Sequence, residues 1–115
     1  MTIDFLRQTC LSLPGATEDI KYDSDLCFSI GPKIFCGTRI EGAFRAGFKC
    51  DEEDFATLME REGIIPLPRL SKTFWVRVEQ NTALSPQEWE HYLRKSYQLV
   101  VASLPKKKQQ ELGLH

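Results

Sequence analysis

The spacing of apolar residues along the chain predicts one helix followed by a run of strands. Apolar residues between positions 5 and 13 recur at helical spacing, and Pro14-Gly15 ends this helix. The acidic stretch 16–24 predicts a connection or an irregular edge. From residue 26 to residue 50 the period changes to two, with two turns, which predicts a three-stranded antiparallel meander.

The second half of the chain predicts one more strand between two helices. A short helix is expected over 51–62 and a strand within 71–79. The apolar stretch between them contains Pro66 and Pro68. These prolines favour an extended edge strand or a loop over a central strand. The segment Ser85–Glu88 is a capping box that begins a helix running to about residue 104. The order α-β-β-β-α-β-α predicts an α+β fold, an antiparallel sheet with helices packed on one face.

Length and composition fit one globular domain. The chain has 115 residues, of which 42% are hydrophobic and 27% charged. We expect a single domain over residues 1–108 and a polar tail over 109–115. No apolar run is long enough for a membrane span and residues 1–13 do not resemble a signal peptide, so we expect a cytoplasmic monomer that does not contact membranes.

The cysteines and histidines show none of the spacings typical of metal or catalytic sites. The four cysteines form no C-x-x-C pair, which favours free thiols, and His91 is expected to be an exposed helix residue. No Gly-rich phosphate loop or G-x-S-x-G motif is present. The acidic run 51–54 is the best metal candidate, but it lacks the Asp-x-Asp-x-Asp-Gly layout of a calcium loop, so we favour helix capping and a solvated face. We therefore predict no catalytic residues, no metal ligands and no cofactor.

Charge is segregated along the chain although the net charge is only −1. Residues 33–49 and 94–108 are basic, whereas 51–62 is strongly acidic. Within the predicted strands, Arg45 and Lys49 share one face, and Trp75 and Arg77 leave the last strand together. Cations beside an aromatic ring suit phosphate contacts and base stacking, although an ordinary charged outer face has the same pattern.

Several segments, in this order and spacing, resemble the MmcQ/YjbR-like family of small bacterial proteins. They are LPGATE at 13–18, FSIGPKIFC at 28–36, GIIP at 63–66, KTFW at 72–75, and SYQLVV at 96–101 with LPKK at 104–107. The resemblance implies a CyaY/frataxin-like α-β sandwich and a double-wing arrangement proposed to bind DNA. It brings no established catalytic set, and Trp75 and Tyr97 could equally be structural.

The first hypothesis is therefore a non-enzymatic DNA-binding module. Its predicted contact residues lie on the basic strands and turns: Lys33, Arg39, Arg45, Lys49, Arg69, Lys72, Trp75 and Arg77. The alternative is a protein–protein interaction or regulatory domain, which predicts an exposed apolar patch. A third hypothesis, metal handling by analogy with frataxin, predicts converging carboxylates.

Overall fold

The computed structural model describes residues 2–21 and 24–114 and confirms the α+β class, with helices against an antiparallel sheet. The helices are α1 (Ile3–Leu11), α2 (Glu52–Leu58), α3 (Pro86–Ser103) and α4 (Lys106–Glu111), with a 3₁₀ turn at Ser71–Thr73. The strands are β1 (Ala16–Lys21), β2 (Asp25–Ile30), β3 (Lys33–Arg39), β4 (Ala46–Lys49), β5 (Ile64–Pro66) and β6 (Trp75–Val78).

The six strands form one sheet in the order β1-β2-β3-β4-β6-β5, and every neighbouring pair is antiparallel. The predicted meander is confirmed as β2, β3 and β4. Strand β1 occupies the stretch expected to be a connection or an irregular edge. Its residues 17–21 are all exposed, so the alternation that reveals a half-buried strand is absent from them.

Helix α3 packs along the inner face of the sheet and buries six of its residues there. It begins at the predicted capping box, in which Ser85 and Glu88 exchange side-chain to backbone hydrogen bonds. Its buried side includes Trp89, Leu93 and Val100. These residues face the inward side chains of the strands, which are fully buried in the case of Phe28, Phe48, Val76 and Val78.

Two hydroxyl groups of α3 fix it to other elements. Ser96 Oγ donates to the carbonyl of Phe35 at 2.6 Å and accepts from the backbone N–H of Lys49 at 3.0 Å. Phe35 is the extra residue of an irregularity in the β2–β3 register, where Ser29 pairs with Ile34. Tyr97 Oη donates to the carbonyl of Pro14, which ties α3 to the end of α1.

The segment after α3 forms a further short helix, which extends into the part of the chain expected to be a polar tail. Helix α4 covers Lys106–Glu111, and Leu112 and Leu114 are half-buried against the core. Gln109 Nε2 donates to the carbonyl of Leu104 at 2.8 Å. The run of lysines at 106–108 conceals these contacts in the sequence. His115, the last residue of the predicted tail, lies outside the described residues.

None of the helices within residues 2–21 and 24–114 combines the length and the hydrophobicity needed to cross a bilayer.

Candidate functional site

The face of the sheet away from the helices carries a row of small and polar residues. Alternation along the strands turns Phe28, Phe48 and Val76 towards the core. On the opposite face, Gly37 of β3 pairs with Gly47 of β4, and Gly47 pairs in turn with Arg77 of β6. Two glycines therefore stand side by side at the centre of the open face.

These glycines form the floor of a groove with a volume of about 360 Å³. Its walls consist of four apolar side chains, three arginines, one aspartate and Thr38. The lining residues are Asp25, Ile34, Gly37, Thr38, Arg39, Arg45, Gly47, Leu67, Leu70, Trp75 and Arg77. The groove is thus apolar on one part of its wall and cationic on another.

The backbone does not require glycine at either floor position. Neither residue has a positive φ, the conformation that favours glycine. A Cβ added at Gly37 would lie 3.7 Å from Cys27 Sγ, and one added at Gly47 would lie 3.4 Å from the carbonyl oxygen of Val76 and 3.7 Å from Leu67 Cδ2. These are ordinary contacts. Glycine weakens a strand interior and often marks a place where a ligand approaches the backbone, so the open groove is what these two residues provide.

The connection between β5 and β6 supplies much of the apolar wall. Leu67 N–H donates to the carbonyl of Trp75 at 3.0 Å, and Trp75 N–H donates to the carbonyl of Leu70 at 3.2 Å. Arg69 and Phe74 have positive φ values of 71° and 62°, so the chain turns tightly at both places. This turn folds the leucines back over β4, next to the glycine floor.

The charged wall is formed at the ends of β3 and β4 and in the middle of β6. Arg39 N–H donates to the carbonyl of Arg45 at 2.9 Å, so the two residues are neighbours, and Asp25 lies opposite Arg39 in the β2–β3 register. Among the described residues, neither Arg39 nor Arg45 forms an ion pair.

Arg77 holds the middle of the groove and is 20% exposed. Its Nε lies 3.6 Å from Glu79 Oε2, which is beyond hydrogen-bond distance. This buried nitrogen has no hydrogen-bond partner among the described residues. At this distance the guanidinium still forms an ion pair with Glu79, which offsets part of the positive charge that Arg77 brings to the groove.

The structure brings some of the eight predicted contact residues together and separates others. Arg39, Arg45, Trp75 and Arg77 all line the groove. Lys49 pairs with Trp75 in register, and its Nζ donates to the carbonyl of Thr73 at 3.0 Å.

Lys49 is not among the residues that line the groove, and the other three predicted residues also lie outside it. Arg69 and Lys72 are exposed on the β5–β6 connection, beside the apolar wall. Lys33 lies at the β2–β3 turn, where its Nζ donates to Ser103 Oγ of α3 at 3.1 Å. The contact with α3 directs Lys33 away from the open face.

The glycine floor and the apolar wall of the groove were not predicted from the sequence. Gly37 and Gly47, inside two predicted strands, were the available signal, because glycine is unusual in a strand interior. Nothing in the local pattern places Leu67 or Leu70, since the loop that carries them reaches the open face only through tertiary folding.

The acidic run at the start of α2 is engaged in capping and in ion pairs. Asp51 accepts from Asp54 N–H at 2.8 Å as the N-cap, and Lys95 Nζ lies 2.8 Å from Asp51 Oδ2 and 2.7 Å from Asp54 Oδ2. The hydrogen bonds from Lys95 and from the Asp54 backbone lower the pKa of Asp51. Within the described ranges, no group of three or more His, Cys, Asp or Glu side chains could hold a metal ion.

The remaining nucleophilic and basic groups lie apart from the groove or beneath the surface. His91 is exposed on α3, as predicted. All four cysteines are buried free thiols, and burial raises the pKa of Cys50 to about 12. Buried thiols with raised pKa values are poor nucleophiles at neutral pH.

Comparison with known proteins identifies the family. No curated protein matches the chain. A crystal structure of DR2400 from Deinococcus radiodurans, described with the domain DUF419, is similar with a TM-score of 0.87 and 30% identity over 99% of this chain and 89% of that one. A Pseudomonas syringae protein shares the fold, with a TM-score of 0.70 and 20% identity over 86% of this chain and 98% of that one. The sequence profile described as YjbR matches residues 11–99. The chain therefore belongs to the YjbR family.

Proposed function

We propose that this protein is a non-enzymatic nucleic-acid-binding module that acts as a cytoplasmic monomer through the open face of its sheet. One observation carries the proposal: Arg39, Arg45 and Arg77 converge on a groove whose wall also includes Trp75. Arginine binds phosphate through a planar fork of donors, and an aromatic ring stacks on bases of any sequence. DNA, the partner expected from the sequence, is the first nucleic acid to test.

The distribution of charge supports this proposal despite the net charge of −1. Asp51 and Asp54 share one ion-pair partner, Lys95 of α3, which packs on the inner face of the sheet, and Glu18 is paired with Arg7 of α1 at 2.7 Å. Among the described residues that line the groove there are three arginines and one carboxylate, Asp25, and one of the arginines, Arg77, is paired with Glu79 at 3.6 Å. Local rather than total charge governs contacts with phosphate within a Debye length of about 8 Å at physiological salt.

The two other hypotheses have less support. Among the described residues, the exposed large hydrophobic side chains are Leu11 of α1, Ile20 of β1 and Leu70 of the groove wall. They belong to three separate elements, whereas a protein-docking surface usually presents one contiguous apolar patch. Of the acidic run 51–54 on which metal handling depends, Asp51 and Asp54 are ion-paired with Lys95.

Fluorescence anisotropy of labelled DNA across a range of salt concentrations tests the proposal. With about three to five phosphate contacts, log K should fall against log salt with a slope of about −3 to −4.5 on duplex and less steeply on a single strand. Arg45→Ala should flatten the slope by about one contact, whereas Arg94→Ala, which removes an exposed arginine paired with Glu90 on α3, should leave it unchanged. Absence of binding at micromolar protein in low salt would refute the proposal.

A further inference from the structure

We infer that the groove holds one unpaired nucleotide of a single strand, with its base lying on the Gly37–Gly47 floor. This inference rests on the proposed function and adds a strand preference to it. The protein should bind single-stranded nucleic acid more tightly than duplex, because only an unpaired base can enter the groove.

The size of the groove favours a single nucleotide. Its volume of about 360 Å³ is near the lower end of the range of about 300–1,000 Å³ found for small-ligand sites. The bases of a duplex are stacked and paired, and extracting one requires unstacking it. A duplex could therefore place phosphates near the arginines but could not fill the groove.

The floor suits a flat ring. Because Gly37 and Gly47 are directly opposite each other, two adjacent strands present bare backbone at the same level of the sheet. A planar base could approach this surface more closely than it could approach any pair of larger side chains. Ile34, Leu67 and Trp75 would then contact its edges or its outer face.

The order of the side chains across the groove matches the order of groups in a nucleotide. Arg39 and Arg45 lie beyond the glycines along the strands, whereas Trp75 lies on the other side of them. Residues two apart on a strand are separated by about 6–7 Å. The arginine end can therefore hold the phosphate while the ring lies beside Trp75, and the guanidinium group of Arg77 lies between them.

Gly37→Val is the variant that tests the inference. Valine favours strands, and a Cβ at this position makes only an ordinary contact with Cys27 Sγ, so the fold should persist. The side chain would occupy the floor. Thr17→Val adds the same side chain at an exposed position of edge strand β1 and serves as the matched control.

The probes are an oligothymidylate of about eight nucleotides, a hairpin duplex with the same number of phosphates, and thymidine monophosphate. We expect wild type and Thr17→Val to bind the single strand about tenfold more tightly than the duplex. This factor is the gain in affinity that stacking of one base would provide. Gly37→Val should lose this preference and keep its duplex affinity. Thermal unfolding confirms that each variant is folded.

Tryptophan fluorescence provides a second measurement in the unaltered protein. The chain has two tryptophans, and Trp89 is fully buried in the core. Quenching by the single strand should therefore come from Trp75 and should disappear in Trp75→Phe.

Each contrary outcome has its own meaning. If wild type binds neither strand nor duplex, both the proposed function and this inference fail. If wild type binds both equally, or if Gly37→Val keeps the single-strand preference, only this inference fails. If thymidine monophosphate alone binds as tightly as the oligonucleotide, the groove is a site for a free nucleotide, and the inferred single-strand role is overturned.

Discussion

Replacing Ser96 by alanine should destabilise the protein more than any other change of one oxygen atom in α3. Ser96 is fully buried, and its hydroxyl joins the helix to two strands of the sheet. It donates to the carbonyl of Phe35 at 2.6 Å and accepts from Lys49 N–H at 3.0 Å. Alanine would remove both bonds without offering a replacement.

The expected loss follows from the two backbone groups left without a partner. Each costs about 1–3 kcal/mol when its partner is removed from a buried site, and alanine recovers about 0.5 kcal/mol of helix propensity. Together these effects reduce the free energy of unfolding by about 1.5–5.5 kcal/mol. For a domain of this size, Tm should fall by at least about 5 °C.

Urea unfolding monitored by circular dichroism measures this loss. Ser103→Ala is the matched control, since Ser103 is on the same helix but exposed, and we expect it to change the free energy of unfolding by less than about 0.5 kcal/mol. If Ser96→Ala were as mild as Ser103→Ala, the hydroxyl would not be the link between helix and sheet described here.

Two further predictions concern ion pairs away from the groove. Hydrogen bonds from Arg61 and from the backbone N–H of Ser85 lower the pKa of Glu88 from 4.5 to about 2, so their stabilisation is present above pH 4.5 and is lost as the pH falls towards 2. The stability difference between wild type and Glu88→Gln, which can keep the capping bond, should therefore shrink in urea titrations between those pH values; a constant difference would contradict the assignment. Asp51→Ala should lower the free energy of unfolding by about 1 kcal/mol through loss of the N-cap of α2. Added Mg²⁺ should leave the Tm of the wild-type protein unchanged, whereas a rise in Tm would favour the metal hypothesis.

Much of the fold could be predicted because local signals agreed with the tertiary structure. The capping box at Ser85 marked the start of α3, and the alternation around Phe48 gave both faces of β4 correctly. Strand β1 was not predicted because its exposed residues show no alternation of apolar and polar side chains. The helix at 106–111 was not predicted because its residues are polar and none of them is buried, while the contacts with the core come from Leu112 and Leu114 beyond its end.

Only part of the candidate site could be predicted from the sequence. The face shared by Trp75 and Arg77 followed from the period of a strand, and the structure places Arg39 and Arg45 beside them. Lys33 belongs to the same basic segment but hydrogen-bonds to α3, because it precedes the register irregularity at the opposite end of β3 from Arg39. The wall formed by Leu67 could not be foreseen, since it depends on how the β5–β6 connection folds over the sheet.

The most direct test of the open face as the binding surface is a two-dimensional ¹H–¹⁵N spectrum of the labelled protein titrated with an oligothymidylate. The account predicts shifts of the amide signals of Gly37, Gly47 and Arg77 and of the indole signal of Trp75. The indole signal of Trp89, fully buried in the core, should stay in place. Shifts concentrated on the outer side of α3, or none at concentrations that saturate a micromolar site, would contradict the account.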